Sequence, residues 1–284
     1  YNRYAFYLSD TFELGHWNIE PGIRFSSIEA DLKRYYLKNS DPSTLQLSEK
    51  KNYQELIGSI RANKEFTPNN FVFFGLSQGF RPPSLYDLTS TDETSAVEHP
   101  NTSLDSENFV QAEVGYKGSF HSWNWEASYY HTWIKDMIVR SPVEAGKSDV
   151  LKANGDGFIQ GLEIEVGYEW TPSWSSEIRL SWMDGEVEQM LDDNTSGTLV
   201  IDGRNYTAVD RAPDRLMPSQ AMLVTRYAPE GLDWWAEFSI LVVGQADDLS
   251  LKDETDSSRI PENGTPGFAL FGLRGGRSVG EKTK

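Results

Sequence analysis

The sequence predicts an all-β fold in which about eleven long strands follow one another as an antiparallel meander. Three features support this prediction. Apolar and polar side chains alternate along many segments, short and long connections take turns, and the alternating segments extend over roughly 12 to 18 residues, beyond the usual strand length. The alternation has a period of two, which is the period of a β-strand.

The stretch 71–117 shows the pattern most clearly. In its last part the apolar side chains are Val110, Ala112, Val114 and Tyr116, and the polar positions are Gln111, Glu113, Gly115 and Lys117. Similar alternation occurs in 17–25, 123–133, 158–170, 174–182 and 234–242. Each segment therefore has one apolar side and one wet side, as in a half-buried sheet or the wall of a membrane barrel.

The connections fall into two classes. Short turns lie near 15–16, 67–70, 120–122, 171–173, 229–232 and 280–281, and long polar connections lie near 37–52, 81–107, 141–156, 192–217 and 249–266. Short turns on one rim and long loops on the other are typical of bacterial outer-membrane barrels. Soluble sandwiches mix loop lengths less regularly.

Tryptophans are concentrated beside the short turns. They are Trp17, Trp123, Trp125, Trp170, Trp174 and Trp234. Indole rings favour the boundary between lipid and water, so these six predict an aromatic rim.

The polar sides carry many carboxylates, among them Glu113, Glu126, Glu163, Glu165, Glu169, Glu177 and Glu237, which a wet lumen accommodates and a closed core does not.

Composition narrows the function classes. The 284 residues carry a formal net charge of −17 and include no cysteine. An acidic surface repels phosphate, so we expect no nucleic-acid partner, and thiolate metal sites are excluded. No apolar run approaches the roughly 20 residues of a membrane helix, so a chain that crosses a bilayer would do so as a barrel.

Several motifs follow one another from Gly79 onwards. They are Gly79-Phe80-Arg81-x-Pro83-Ser84-Leu85, then Pro100-Asn101 with Leu104 and Glu107, then Glu113-x-Gly115-Tyr116-Lys117, then Asn154, Gly157 and Gly161-Leu162-Glu163, then Arg211-Ala212-Pro213 with Met217-Pro218, and Thr265-Pro266-Gly267-Phe268. In this order they resemble the motifs of the TonB-dependent outer-membrane receptors, over most of the chain.

The resemblance implies a barrel of about 22 strands in the bacterial cell outer membrane, with an N-terminal plug inside it. Such receptors take up a scarce nutrient, here a ferric siderophore or similar chelate, with energy from the TonB complex. The implied partners are TonB, outer-membrane lipid or lipopolysaccharide, and the small-molecule nutrient. We expect 1–284 to be one partial barrel domain, the C-terminal half without its final strands, the plug or the TonB-binding segment. An odd strand count agrees, because a closed antiparallel barrel needs an even number.

Catalytic and metal sites are not expected. His16, His99, His121 and His131 lack the spacing of a zinc site, and the stretch from Asp192 to Gly203 lacks the final Glu of a calcium loop. We therefore predict that the chain is not an enzyme. We expect the lumen carboxylates with Arg24, Arg61 and Arg179 to hold a plug.

Three residues are candidates for ligand contact: Arg81, Tyr86 and His99. Arg81 and Tyr86 suit an anionic chelate, although we favour a structural corner in which Arg81 pairs with a carboxylate. Haem receptors of the family carry a His between two motif boxes, so His99 makes haem a possible transported ligand. We expect no resident cofactor.

Two other classes stay open at this point. A passive porin predicts no plug and a constriction loop folded into the lumen. A soluble β-rich adhesin or carbohydrate-binding domain predicts that the apolar strand faces pack on a second sheet.

Overall fold

The computed structural model describes residues 2–32, 49–89, 98–99, 101–142, 150–192, 199–201, 204–255, 260–261 and 263–277. These residues form strands β1 (Asn2–Ser9), β2 (Phe12–Leu14), β3 (Trp17–Leu32), β4 (Glu49–Thr67), β5 (Asn70–Arg81), β6 (Glu98–His99), β7 (Glu107–Phe120), β8 (Trp123–Pro142), β9 (Val150–Thr171), β10 (Trp174–Asp192), β11 (Leu199–Ile201), β12 (Arg204–Arg211), β13 (Gln220–Tyr227), β14 (Trp234–Val243) and β15 (Phe268–Arg277). Helices α1 (Leu85–Thr89) and α2 (Leu251–Thr255) have five residues each. None of the described helices has the length and apolar character needed to cross a membrane.

One antiparallel path runs through the sheet in the order β1-β3-β4-β5-β7-β8-β9-β10-β13-β14-β15. Neighbours on the path follow one another along the chain, apart from short strands inserted between them, so the predicted meander is confirmed. In the described part of the chain β1 and β15 do not pair with each other, and the sheet is open.

Two predicted connections contain additional strands. The connection 192–217 holds β11 and β12, which pair with each other, and β12 also pairs with β10. The connection 81–107 holds α1 and β6, and β6 pairs in parallel with β9. β6 and β11 are too short to show an alternation, and the eight residues of β12 show no clear one. These segments become strands because the long ends of β9 and β10 offer unpaired backbone groups.

The short turns near 15–16, 67–70, 120–122, 171–173 and 229–232 lie where the sequence predicts them, and the turn predicted near 280–281 lies outside the described residues. Backbone hydrogen bonds link adjacent turns: Ser119 N–H donates to Asn69 O at 3.1 Å, and Ala228 N–H donates to Ser173 O at 2.8 Å. Gly15 has a φ of 64° in the β2–β3 turn, a conformation that side chains with a Cβ rarely adopt. The tight turns therefore all lie on one rim of the sheet, and the long connections lie on the opposite rim.

Register gives the sheet two different faces. Across β5, β7 and β8, for example, Ser77, Gln111 and Thr132 lie side by side on one face, which we call the polar face. The opposite, apolar face exposes large side chains, including Leu76 at 47%, Leu180 at 42% and Phe238 at 38%. Within the described ranges no second sheet covers them, which contradicts the soluble alternative with its packed apolar faces.

Aromatic rings follow the short-turn rim on the apolar face, as predicted. Trp17 lies 6.5 Å from Phe74, Trp125 lies 6.1 Å from Tyr116, and Trp123 lies 4.4 Å from Tyr168, measured between ring centroids. Such ring pairs are attractive beyond the area that they bury. The six rim tryptophans therefore form part of a band and are not separate core residues.

Two glycines bring β9 and β10 into unusually close backbone contact. A Cβ on Gly157 would overlap the Glu186 carbonyl oxygen and come within 2.7 Å of Val187 Cα. A Cβ on Gly155 would likewise overlap the Glu188 carbonyl oxygen. Both neighbours are backbone, so they cannot move aside as a side chain can.

We expect Gly157→Ala to lower the free energy of unfolding by about 1–3 kcal/mol, because the added methyl group forces two paired backbones apart. Denaturant unfolding in detergent, followed by tryptophan fluorescence, measures the change. Gly58→Ala is the matched control, because its Cβ would meet nothing closer than 3.6 Å. Equal unfolding midpoints for the two variants would contradict the prediction.

Candidate functional site at the loop-side corner and the polar face

Arg81 ends β5 at the rim of the long connections and organises the corner there. It lies opposite Glu107 in register, and its guanidinium binds both Glu107 carboxylate oxygens, with Nη2 to Oε1 at 2.7 Å. Nη1 of Arg81 also donates to Asp87 Oδ2 at 2.9 Å. A planar guanidinium suits this fork of two carboxylates.

Asp87 belongs to a capping box that starts α1. The Ser84 N–H donates to Asp87 Oδ2 at 2.9 Å, and the Asp87 N–H donates to Ser84 Oγ at 3.1 Å. This reciprocal pair satisfies two backbone donors at the start of the helix. It also fixes the carboxylate towards Arg81.

Lys152 on β9 completes the corner from the other side. Its Nζ lies 3.5 Å from Asp87 Oδ1, donates to the Tyr86 carbonyl at 3.1 Å and lies 3.6 Å from the centre of the Tyr86 ring. The side chains of Lys152, Asp87 and Glu107 are only 5%, 11% and 6% exposed. Two cations and two anions thus balance, which the burial of charge requires.

Tyr86 lies above this charged group and is 40% exposed. Its hydroxyl accepts a hydrogen bond of 2.6 Å from Arg140 Nη2. The structure therefore brings the predicted residues Arg81 and Tyr86 into one corner, with Arg81 bound to carboxylates as in the structural interpretation. Ligand contact by either residue stays a prediction.

His99 lies at the second position of β6, where its backbone pairs with Leu151 of β9. Its side chain lies outside the described part of the structure, as does Pro100. Haem ligation by His99 therefore stays a prediction.

Two motif asparagines fasten the connection before β7 to β9. Asn101 Nδ2 donates to the Lys152 carbonyl at 2.9 Å. Asn154 Oδ1 accepts from the Asp105 N–H at 2.9 Å, and its Nδ2 donates to the Asp136 carbonyl at 2.6 Å. Asp136 has a φ of 59° at an irregularity in β8, so Asn154 supports a strained backbone as well as the loop.

The remaining motif residues shape the sheet. Gly115 lies under the Phe73 ring and Gly161 under the Tyr130 ring, where a Cβ would overlap the aromatic atoms. Gly79 pairs with Phe109, Phe80 pairs with Asn108, and Pro83 is fully buried beside α1. Aromatic rings that cover cross-strand glycines help to hold the strand register.

Charged residues cross the polar face strand by strand. Lys117, Glu126, Glu165 and Arg179 lie side by side on β7, β8, β9 and β10. Lys117 Nζ binds Glu126 Oε2 at 2.7 Å, and Arg179 binds Glu165 at 3.1 Å and Glu177 at 2.5 Å. Nearer the last strands, Glu237 lies between Arg226 and Arg274.

Beside this row is a groove of about 330 Å³, lined in part by Glu126, Glu163, Arg179 and Met222. Glu163 lies opposite Ser128 and Ser181, and Glu113 lies opposite Gly75 and Tyr130, so no cation faces either carboxylate in register.

Of the other predicted plug contacts, Arg61 lies opposite Glu20 and Arg24 donates to Ser26 Oγ at 3.1 Å. Among the residues that the structure describes, no three His, Asp or Glu side chains could hold a metal ion.

The sequence interpretation missed Asp87, Lys152 and Arg140. Ser84-x-x-Asp87 is a capping-box spacing, so Asp87 could have been found from the sequence. Lys152 and Arg140 carry no local signal, because only the pairing of β8 with β9 brings them to Tyr86.

Asp87 gives the corner a pH dependence. Burial raises the pKa of Asp87, but hydrogen bonds from Ser84 and the Arg81 guanidinium more than offset this, so its pKa lies below the usual range. A lowered folded-state pKa contributes stability above the unfolded value of about 3.9, and that stability is lost as the pH falls through the folded pKa.

We therefore expect amides 84–89 to exchange hydrogen faster relative to the strands once the pH falls below about 4. Exchange rates corrected for intrinsic pH effects, measured by mass spectrometry in detergent, test this. In Asp87→Asn the same amides should be less protected at neutral pH and should show little further pH dependence. An unchanged pH profile in that variant would contradict the role of Asp87.

Comparisons with known proteins agree with this geometry. A family model described as TonB dependent receptor-like, beta-barrel matches residues 1–280. No curated protein sequence matches the chain.

Solved structures share the fold at low identity. The copper transporter OprC has a TM-score of 0.74 and 20% identity, over 98% of this chain and 40% of that one. The ferric citrate transporter FecA, unliganded, has a TM-score of 0.68 and 18% identity, over 99% and 38%. The ferric yersiniabactin uptake receptor FyuA from Yersinia pestis has a TM-score of 0.63 and 17% identity, over 97% and 38%. This chain thus spans about two fifths of each of these proteins. It belongs to the TonB-dependent receptor family, and its strands are part of a β-barrel wall in the bacterial outer membrane.

Proposed function

We propose that this chain is part of a receptor that takes up a small anionic metal chelate, such as a ferric siderophore, with energy supplied through TonB. The observation that carries the proposal is the polar face, on which charged residues cross at least four neighbouring strands. A face of this kind lines a water-filled or plugged lumen. The similar structures are named as transporters or uptake receptors for copper, ferric citrate and ferric yersiniabactin.

The charges on this face favour a plugged receptor over a passive porin. Glu113 and Glu163 have no cation opposite them in register, and Arg179 already serves two carboxylates. Basic side chains of a plug would compensate these carboxylates, while Arg24 and Arg61 would bind acidic ones. In this proposal the plug docks on the wall chiefly through β3, β4 and β7 to β10.

The loop-side corner is the part of the wall that would meet the chelate first. Tyr86 is 40% exposed, and the Arg81 side chain is 46% exposed although it binds two carboxylates. Arg140 is held against the Tyr86 hydroxyl. Guanidinium groups beside an aromatic ring suit an anionic chelate.

Uptake should depend on TonB. We expect cells to stop accumulating a radiolabelled ferric chelate when TonB is removed or the proton gradient is collapsed, while binding at the cell surface persists. The comparison of bound with internalised label at equal receptor abundance measures this. Uptake that continues without TonB would support the porin alternative and contradict the proposal.

Tyr86 allows a test of the corner as a binding site. We expect Tyr86→Ala to weaken chelate binding about tenfold, which equals about 1.4 kcal/mol, because both the ring and the hydroxyl are lost. Tyr86→Phe keeps the ring over Lys152 and should lose less. Calorimetric titration of the purified receptor measures the affinities.

Phe66→Ala serves as the control, because Phe66 is 58% exposed but lies at the opposite, short-turn rim. Its affinity should equal that of the unchanged protein. If Tyr86→Ala also binds the chelate with unchanged affinity, the corner is structural only.

A further inference from the structure

An aromatic groove lies at the short-turn rim, between residues of β9, β10 and β13. Trp170, Thr171, Trp174, Ser176 and Tyr227 line it, and its volume is about 620 Å³. Trp170 is 62% and Trp174 is 45% exposed, so the rings face outwards. The groove lies on the apolar face, at the level where lipid headgroups meet the barrel.

The indole N–H groups in this groove point at the protein. Trp170 Nε1 donates to Ser176 Oγ at 3.0 Å, and Trp174 Nε1 donates to Thr225 Oγ1 at 3.3 Å. The two hydroxyl oxygens are themselves 2.5 Å apart. Tryptophans at a membrane interface ordinarily keep this donor for water or headgroups. Here the outward surface that remains is the ring itself, and its face is the electron-rich part.

The rings of the groove and their neighbours are set at varied inclinations. On one side Trp170 lies 4.7 Å from Tyr168 at 82°, and on the other Trp174 lies 5.4 Å from Tyr227 at 55°. Tyr227 in turn lies 5.6 Å from Trp234 at 59°. Three of these rings, Trp170, Trp174 and Tyr227, line the same groove, and aromatic faces attract a cation.

The β13–β14 turn, which borders the groove, is acidic. The Glu230 N–H donates to Ser173 Oγ at 3.1 Å, which holds the β13–β14 turn against the β9–β10 turn. Glu230 and Asp233 are exposed there, and the segments 167–178 and 228–236 contain no Lys or Arg. Arg277 on β15 pairs with Trp234 of β14, at the end of the aromatic row farthest from Trp170. The groove therefore attracts a cation and disfavours a purely anionic headgroup.

We propose that this groove, the Trp170–Trp174 groove, binds a phospholipid whose headgroup carries a primary ammonium, namely an ethanolamine phospholipid of the leaflet at the short-turn rim. The ammonium lies among the rings and near Glu230 and Asp233, and the glycerol and acyl portions follow the apolar face. The site rests on the membrane location of the barrel and not on the transported nutrient.

The opposite part of the same rim has the reverse chemistry and supplies a control. Lys64 lies 5.3 Å from the Trp17 ring and 5.2 Å from the Phe66 ring. A cation beside the rings there repels an ammonium. Trp17→Leu thus removes a rim tryptophan without touching the proposed site.

The test is native mass spectrometry of the protein extracted from its outer membrane in detergent, with equimolar phosphatidylethanolamine and phosphatidylglycerol added. We expect the ethanolamine lipid to be retained preferentially. In Trp170→Leu/Trp174→Leu this preference should fall about tenfold, the size of one well-placed cation–π contact. Glu230→Gln/Asp233→Asn, which leaves the rings and hydrogen-bonded hydroxyls in place, should lower it several-fold, and Trp17→Leu should leave it unchanged.

Four results would overturn the proposal. Three concern lipid retention: equal retention of the two lipids by the unchanged protein, a preference for phosphatidylglycerol, and an ethanolamine preference that survives both double substitutions. The fourth concerns the oligomeric state. A dimer that dissociates when Trp170 and Trp174 are replaced would show that a second copy of the chain occupies the groove. Tryptophan-monitored unfolding confirms that each variant is folded. If Trp170→Leu/Trp174→Leu does not fold, Glu230→Gln/Asp233→Asn still tests the proposal.

Discussion

Backbone hydrogen bonds between neighbouring strands hold this sheet together and set the position of every side chain on it. In hydrocarbon an unpaired N–H or C=O group costs several kcal/mol, so every strand inside the path is paired on both sides. Pairing fixes the register, and register fixes which side chains share a face. Leu162 and Leu180 therefore meet lipid together with their neighbours, while Glu165 and Arg179, each an odd number of positions away, meet on the other face. A slip of one residue in any strand would exchange the two environments.

The polar face shows how a wet surface tolerates charge. The side chains of Arg179 and Glu165 are 55% and 45% exposed, so water screens their attraction and such pairs contribute little to stability. These ion pairs instead determine which carboxylates are paired and which are available to a docking partner. The aromatic rings that cover Gly115 and Gly161 lie on the same face and carry no charge.

The loop-side corner follows the opposite rule, because its charges are buried. Lys152 and Glu107 are almost inaccessible, and each is held by ions or hydrogen bonds from a different segment of chain. Leu88, Leu104 and Ile138 pack together beside them. The corner consequently ties α1, the connection before β7, and strands β8 and β9 into one unit. A residue that contacts a ligand there is supported by the wall of the barrel, which limits the freedom it must lose on binding.

A period of two and alternating connection lengths are local properties of the chain, so the two-faced meander and its rims could be predicted from the sequence. The order of the motifs from Gly79 onwards indicated the family. The sequence also identified Arg81 and Tyr86, the motif glycines and the motif asparagines as positions that matter. Only the tertiary structure decided what they contact: Arg81 joins Glu107 and Asp87 because β5 and β7 pair, and Lys152 and Arg140 reach Tyr86 because β9 lies beside β8. The strands β11 and β12, and the turning of the Trp170 and Trp174 N–H groups onto Ser176 and Thr225, depend in the same way on long-range pairing, which no local pattern records.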